Sequence, residues 1–483
     1  MNQIQPSLPG LNAIANWKPG SQLPGYCQTL PPGENVQTPP EAQQRLPTCS
    51  EICLKKESSL PAKRSCLNPM FGRLFTHAKN LLFQDGGSTA LWFTRRSVKR
   101  SRMIYFDHNA TTPMLPEARQ AWLEAAERFI GNPSSPHRIG ARADAALTEA
   151  RQRLAIKLDC DPLDIVWTSG ATEANNMALH HFASDECVQA WVSAIEHPCV
   201  LEAARHYFPN RLRLMPVTRA GTTNLDWLSE HLAETRPGFV AMMAANNETG
   251  VLQPWREILA MCRQYEVPFF CDATQWIGKS TCHGLGECDF VSGSAHKFGG
   301  PKGVGFLKCP SKGRVYPLLH GGPQEEGRRS GTENVAGVLS MLAALEARER
   351  SIAQGETEKR SVWRHCFERR LGHDLAGCEI VGSSQERLWN TVSALMPETD
   401  CQQRWVVKLD KIGFAVSTGS ACASGREESS HVLAAMSYSP REASRVLRFS
   451  SGWETTEDDW RALAEALIKV SCGLSVEMTR RNS

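Results

Sequence analysis

Apolar and polar positions follow two different regimes along this chain. From Met103 onward, short apolar runs alternate with amphipathic stretches. Pro116 to Phe129 has helical spacing with Pro in its first turn, and Ala141 to Leu158 has the same spacing over a longer span. Asp164-Ile165-Val166-Trp167 predicts a strand that runs through Ser169-Gly170-Ala171-Thr172 into a helix. Trp191 to Ile195, Leu212 to Val217, Phe239 to Ala244 and Pro268 to Cys271 predict further strands, with helical patterns between them. A helical stretch follows Thr332 and runs through Leu345 to Glu349. Strands alternating with helices in this way predict an α/β fold with a mostly parallel sheet covered on both faces. From there to about Val470 the pattern mixes strands and helices and suggests a smaller α+β domain. No short-period repeat is visible.

Residues 1–102 lack this order. They are rich in Pro, Gln, Ser and Leu, and poor in acidic residues. Pro31-Pro32 and Pro39-Pro40 break any helix, and the stretch ends on the basic residues Arg95, Arg96, Lys99, Arg100 and Arg102. It reads as a disordered extension, as a targeting segment, or as translated sequence ahead of a start at Met103. The last is the expectation here, because a transit peptide would be rich in Arg and Ser from its beginning. Cys27, Cys49, Cys53 and Cys66 lie in this stretch at spacings that fit no common zinc pattern.

Composition narrows the function classes. With 483 residues, 41% of them hydrophobic and 22% charged, the chain can bury a sizeable core. No apolar run approaches the roughly 18 residues of a membrane span. The net charge of +3 is too mild to name nucleic acid as the main partner. The 17 cysteines are too dilute for a disulfide scaffold and form no CxxC pair, so free thiols in a reducing cytoplasm are expected. The amino terminus also lacks the basic and apolar regions of a secretory signal.

Four clusters carry candidate chemistry. Thr168-Ser169-Gly170-Ala171-Thr172-Glu173 is a strand-to-helix turn of small and hydroxyl residues, suited to a phosphate or simply to an ordinary cap. Phe270-Cys271-Asp272-Ala273-Thr274-Gln275 ends a buried strand on a carboxylate that could ligate a metal, cap a helix or pair with a cofactor cation. Ser292 to Gly303 sets Lys297 between an apolar strand and a glycine-rich turn. A confined lysine there can act as a nucleophile, whereas Lys302 fits a surface role better. Ser417 to Gly425 surrounds Cys422 with small and hydroxyl residues, which suits an accessible, reactive thiol better than a buried one.

In this order the clusters resemble the NifS/IscS-like cysteine desulfurases, pyridoxal-phosphate enzymes of the aminotransferase class V group. The resemblance covers Met103 to about Ile468. It includes Asp107-His108-Asn109-Ala110-Thr111-Thr112-Pro113, Gly131-Asn132-Pro133-Ser134-Ser135, Glu196-His197-Pro198, Asn246-Asn247-Glu248-Thr249-Gly250, Arg329-Ser330-Gly331-Thr332 and Arg448-Phe449-Ser450. It implies a fold-type I transferase with a seven-stranded sheet. Residues 116–364 would form a large cofactor-binding domain, and 103–115 with 365–475 a small domain.

The resemblance also implies roles. Lys297 would hold the cofactor as a Schiff base and then act as base at the substrate's Cα. Asp272 would pair with the pyridinium nitrogen, His197 would stack on the ring and help move protons, and Gln275 would donate to the phenolic oxygen. Asn247 would touch the ring side. Ala171, Thr172, Ser294 and His296 would hold the phosphate, together with Thr332 from the second subunit of a homodimer. Arg448, assisted by Asn132, would bind the substrate carboxylate. Cys422 would accept sulfur from L-cysteine as a persulfide, leaving L-alanine.

No resident metal is implied, although an iron–sulfur cluster could contact Cys422 in transit. The implied partner is a sulfur-acceptor protein, either an iron–sulfur scaffold or a thiolation relay, rather than nucleic acid or membrane. The chain ends soon after Val470, where housekeeping relatives carry a longer scaffold-docking tail. Pro323 replaces a usual Gly, and Thr249 a usual aliphatic residue. A selenocysteine lyase, another class V enzyme, or a silent binding subunit are the alternative readings.

Overall fold

The computed structural model describes residues 103–311, 315–398, 402–419 and 430–482, which fall in one compact unit. The expectations for residues 1–102 and for Cys422 lie outside the described residues.

In chain order the first elements are β1 (Ile104–Tyr105), α1 (Pro116–Arg128), α2 (Arg138–Leu158), β2 (Ile165–Thr168), α3 (Ala171–Ala183), β3 (Ala190–Ser193) and α4 (Pro198–Tyr207). The strands β4 (Leu212–Met215), β5 (Phe239–Met243), β6 (Phe269–Asp272), β7 (Phe290–Ser294) and β8 (Gly305–Lys308) follow. Strands β2 to β8 form one sheet in the order β2-β8-β7-β6-β5-β3-β4. Neighbours from β4 to β7 are parallel, whereas β8 runs antiparallel to both β7 and β2. Every residue of β2, β3, β5, β6, β7 and β8 is buried, as expected of strands covered on both faces. One apolar layer holds Trp191, Val240, Phe269 and Val291, and the other holds Val166, Val192, Phe270 and Leu307. A glycine contact fits β8 against the sheet: a Cβ on Gly305 would lie 2.5 Å from the Gly293 carbonyl oxygen and 2.6 Å from Gly170 Cα.

Several boundaries differ from the periodicity for local reasons. Helix α2 starts at Arg138 rather than Ala141, because His137 Nδ1 accepts from the Gly140 N–H at 3.1 Å and caps the helix there. Strand β3 stops at Ser193, where the Glu196 N–H turns back to the Ser193 carbonyl. The helix after Thr332 begins at Val335, capped by Asn334, and runs to Ala353 against α1.

A three-stranded antiparallel sheet is formed by β9 (Glu379–Ile380), β10 (Thr391–Leu395) and β12 (Val446–Ser450) in the order β12-β10-β9. Strand β11 (Phe414–Ala415) pairs in parallel with β1. These strands share a core of Phe106, Phe367, Trp405, Phe449 and Trp460.

Candidate active site

The carboxyl ends of the parallel strands and their neighbours open on a cavity of about 580 Å³. Such strand ends are where an open α/β sheet leaves room for a ligand. Strand β2 leads to Ser169 and Gly170, β3 to His197, β5 to Asn247, β6 ends on Asp272, and β7 ends on Ser294 before His296 and Lys297.

At one end of the cavity, α3 starts at Gly170 with no side chain capping its first turn. Its free backbone N–H groups, the Thr172 and Ser294 hydroxyls, His296 and Lys302 together form an anion cradle. Burial, with the nearby lysines Lys297 and Lys302 adding to it, pushes the His296 imidazole down to about 4. At neutral pH that ring is therefore a neutral hydrogen-bonding group, and its Nδ1 lies 3.2 Å from Thr111 Oγ1.

At the other end, the Asp272 carboxylate is buried and held from both sides. Its Oδ1 accepts from the Thr274 N–H at 2.9 Å, and its Oδ2 from Asn175 Nδ2 at 2.9 Å. The same Asn175 amide donates to Cys199 Sγ at 3.1 Å. Burial and the neighbouring Asp272 push the Cys199 thiol up to about 12, so it stays protonated. His197 caps α4: its Nδ1 accepts the Cys199 backbone N–H at 3.2 Å. Burial holds this imidazole below the ordinary histidine range. A neutral ring that accepts at Nδ1 carries its proton on Nε2, so helix capping selects the tautomer.

Between the two ends, Lys297 Nζ donates to the Asn109 carbonyl at 2.6 Å and the Ala110 carbonyl at 3.1 Å. Thr112 Oγ1 holds the Lys297 carbonyl at 3.0 Å. Arg448 lies on β12, fully buried. It donates to Asp107 Oδ1 at 2.6 Å and to the carbonyls of Asn247 and Gly419.

Of the expected cofactor contacts, Ala171, Thr172, His197, Asn247, Asp272, Gln275, Ser294, His296 and Lys297 line this cavity. Thr332 and Asn132 do not line it and are exposed, and Asn132 uses its Oδ1 on the Ser134 N–H. Arg448 is reached through Asn247 rather than lining the wall. Four residues given no cofactor role above, Asn175, Cys199, Asn109 and Lys302, also belong to the site. The Asn175 side chain follows from helical spacing after the phosphate turn, and Cys199 from its place two residues beyond the capping histidine. Asn109 sits inside a recognised motif, yet spacing alone does not say which of its groups is used. Lys302 is exposed, as expected of a surface lysine, but it stands at the cavity wall.

These residues fit pyridoxal phosphate. An anion cradle and a fixed carboxylate stand at opposite ends with a lysine between them. The Asn247 Oδ1 and Thr274 Oγ1 atoms at the wall are buried without a hydrogen-bond partner, as groups awaiting a polar ligand would be.

Comparison with known proteins shows the family to which the chain belongs. The Aminotransferase class-V family matches residues 104–463. The cysteine desulfurase IscS of Dictyoglomus turgidum is 34% identical over 377 residues, covering 76% of this chain and 94% of that protein. A NifS-like protein structure from Rickettsia africae is 31% identical, with a TM-score of 0.69, covering 76% of this chain and 99% of that one. A structure described as SspA in complex with cysteine is 27% identical, with a TM-score of 0.63, covering 73% of this chain and 99% of that one.

Proposed function

The chain belongs to the aminotransferase class-V family and is a pyridoxal-phosphate-dependent cysteine desulfurase; from that premise, we propose how its residues divide the work. These relatives favour the desulfurase over the selenocysteine-lyase alternative. The supporting observation is the convergence of Lys297, Asp272 and His197 on one cavity with an anion cradle at its far end.

Bound pyridoxal phosphate supplies an electron sink for the charge that develops at the substrate's Cα. Lys297 would hold the cofactor through Nζ and would move the proton at the substrate's Cα. Asp272, fixed by Thr274 and Asn175, holds a proton on the ring nitrogen. His197 would lie against the ring and would offer the Nε2 proton that its capping role leaves in place. Gln275 donates to the phenolic oxygen, and the backbone of Ala171 with Thr172, Ser294 and His296 holds the phosphate. Arg448 takes the substrate carboxylate in exchange for part of its pairing with Asp107, assisted by Asn132.

The Cys422 thiolate attacks the substrate sulfur. A sulfur–sulfur bond forms as the Cβ–S bond breaks, and the bonding pair stays on Cβ, which is protonated to the methyl group of alanine. Sulfur is oxidised as carbon is reduced, so no outside oxidant is needed. The persulfide then passes to an acceptor thiol on an iron–sulfur scaffold or thiolation relay.

Two copies complete the site, with Thr332 of each reaching the phosphate of the other; its exposed position away from its own cavity supports this reading. Among the described residues no helix is long and apolar enough to cross a membrane. The proposed location is the cytoplasm.

The test is release of sulfide and alanine from L-cysteine with a thiol reductant. Equimolar products, lost in Cys422→Ala while the cofactor's visible band remains, are expected. Full turnover in that variant would remove Cys422 from the mechanism.

A further inference from the structure

One buried charge-bearing group takes no part in the roles above. Lys279 is 3% exposed and lies four residues after Gln275 in a run of turns. Its Nζ donates to Asn109 Oδ1 at 2.8 Å and to Gln275 Oε1. Both partners are side-chain amides, whose two ends differ in hydrogen bonding but hardly in shape. An amide can therefore turn over in place unless a neighbour accepts only one orientation. A lysine supplies donors alone when charged, so it selects the oxygen end of each.

The consequences reach the cavity. With its oxygen turned to Lys279, the Asn109 NH₂ faces the other way and donates to the Asn247 carbonyl at 3.1 Å and Thr391 Oγ1 at 2.9 Å. Asn390 Nδ2 also gives to Asn109 Oδ1, at 3.1 Å. With its own oxygen held, Gln275 turns its NH₂ toward the Asn109 carbonyl at 3.0 Å and toward the cavity that it lines. The same Asn109 carbonyl accepts from Lys297 Nζ. Reversing the Gln275 amide would set two carbonyl-type oxygens against each other at Asn109 and present an acceptor, not a donor, to the cavity. Burial, with Lys297 and Arg448 nearby, holds the Lys279 ammonium below the usual lysine range. Charged or neutral, its amine has N–H groups to give to both amide oxygens.

We propose that Lys279 is a positioning residue that fixes the Gln275 side-chain amide with its NH₂ end toward the cofactor, so that Gln275 donates there. The inference rests on the reading of Gln275 as donor to the phenolic oxygen. Such a donor draws electron density from that oxygen and weakens its hold on the neighbouring proton. Its loss raises the pH at which the cofactor's visible band changes.

The test is a pH titration of that band in the cofactor-loaded protein, in Gln275→Leu, Lys279→Met and the double variant. Each single change should raise the midpoint by about one pH unit, as expected when a charge-assisted hydrogen bond is lost. The double variant should match Gln275→Leu, with no further shift. If Lys279→Met leaves the midpoint in place, or if its shift adds in full to that of Gln275→Leu, Lys279 acts only structurally or by direct charge, and the proposal is overturned. If Gln275→Leu itself shifts nothing, it is the reading of Gln275 that fails. Should Lys279→Met not fold, neutron diffraction on the deuterated native protein decides. Gln275 Oε1 facing Lys279 supports the inference, and a deuterated nitrogen there overturns it.

Discussion

The two ends of the cavity are built in opposite ways. At the end proposed to hold the phosphate, the donors are backbone N–H groups at the start of α3, a few hydroxyls and the exposed Lys302. At the end proposed to hold the ring, Asp272, Gln275, Lys279 and Asn109 are buried, and each has its orientation fixed by another side chain. A phosphate carries full charge in any orientation, so many modest, partly solvated donors suffice to hold it. A ring nitrogen and a phenolic oxygen must instead be kept in particular protonation states. That takes desolvated groups with a set direction, because a low local dielectric strengthens each interaction and makes each mismatch costly. Substitutions at the ring end should therefore change chemistry, and those at the phosphate end should change cofactor retention.

The sharpest break is expected at the lysine between the two ends. Lys297→Ala should lose covalent attachment of the cofactor and lower sulfide release by about a thousandfold or more, read by the visible spectrum and the rate. Asp272→Ala removes the fixed carboxylate and should cost about a hundred- to a thousandfold in kcat while much of the bound cofactor remains. An equal loss of cofactor and rate would erase the contrast between the ends.

Next comes a pH effect at a buried histidine that precedes Asn109 and does not line the cavity. His108 is 5% exposed, and burial pushes its imidazole down from 6.5 to about 4. The unfolded chain takes up this proton at higher pH than the folded one. Stability should therefore fall as pH drops from 6.5 toward 4, by about 3 kcal/mol from this group. Urea unfolding across that range should show the slope, and His108→Asn should flatten it.

The smallest effect belongs to the phosphate end. Thr172→Ala or Ser294→Ala should weaken cofactor binding by about tenfold and leave kcat at saturating cofactor nearly intact. A large fall in kcat with unchanged retention would contradict the division.

Much of the site was legible along the chain. The phosphate turn at Thr168 to Glu173, the Asp272/Gln275 pair and the Ser294 to Lys297 run are local motifs, and each lies at a strand end that the apolar pattern marks. The groups that orient them were less legible. Asn175, Cys199 and Lys279 meet their partners through folding. Even the short Gln275–Lys279 spacing gives no hint that the lysine is buried. The antiparallel direction of β8 was also hidden, because a short buried strand reads the same in either direction.

The sequence by itself determined the alternation of strands and helices, the motifs at the strand ends and the residue types available for chemistry, because backbone periodicity and turn chemistry are local. Only the tertiary structure decided which end of each amide faces the cavity, which nitrogen of His197 holds the proton, and that Arg448 is already paired with Asp107. The Asp107–Arg448 pair joins residues far apart in the chain, and even the local His197–Cys199 and Gln275–Lys279 pairs take their meaning from burial in a desolvated space where each donor must find an acceptor.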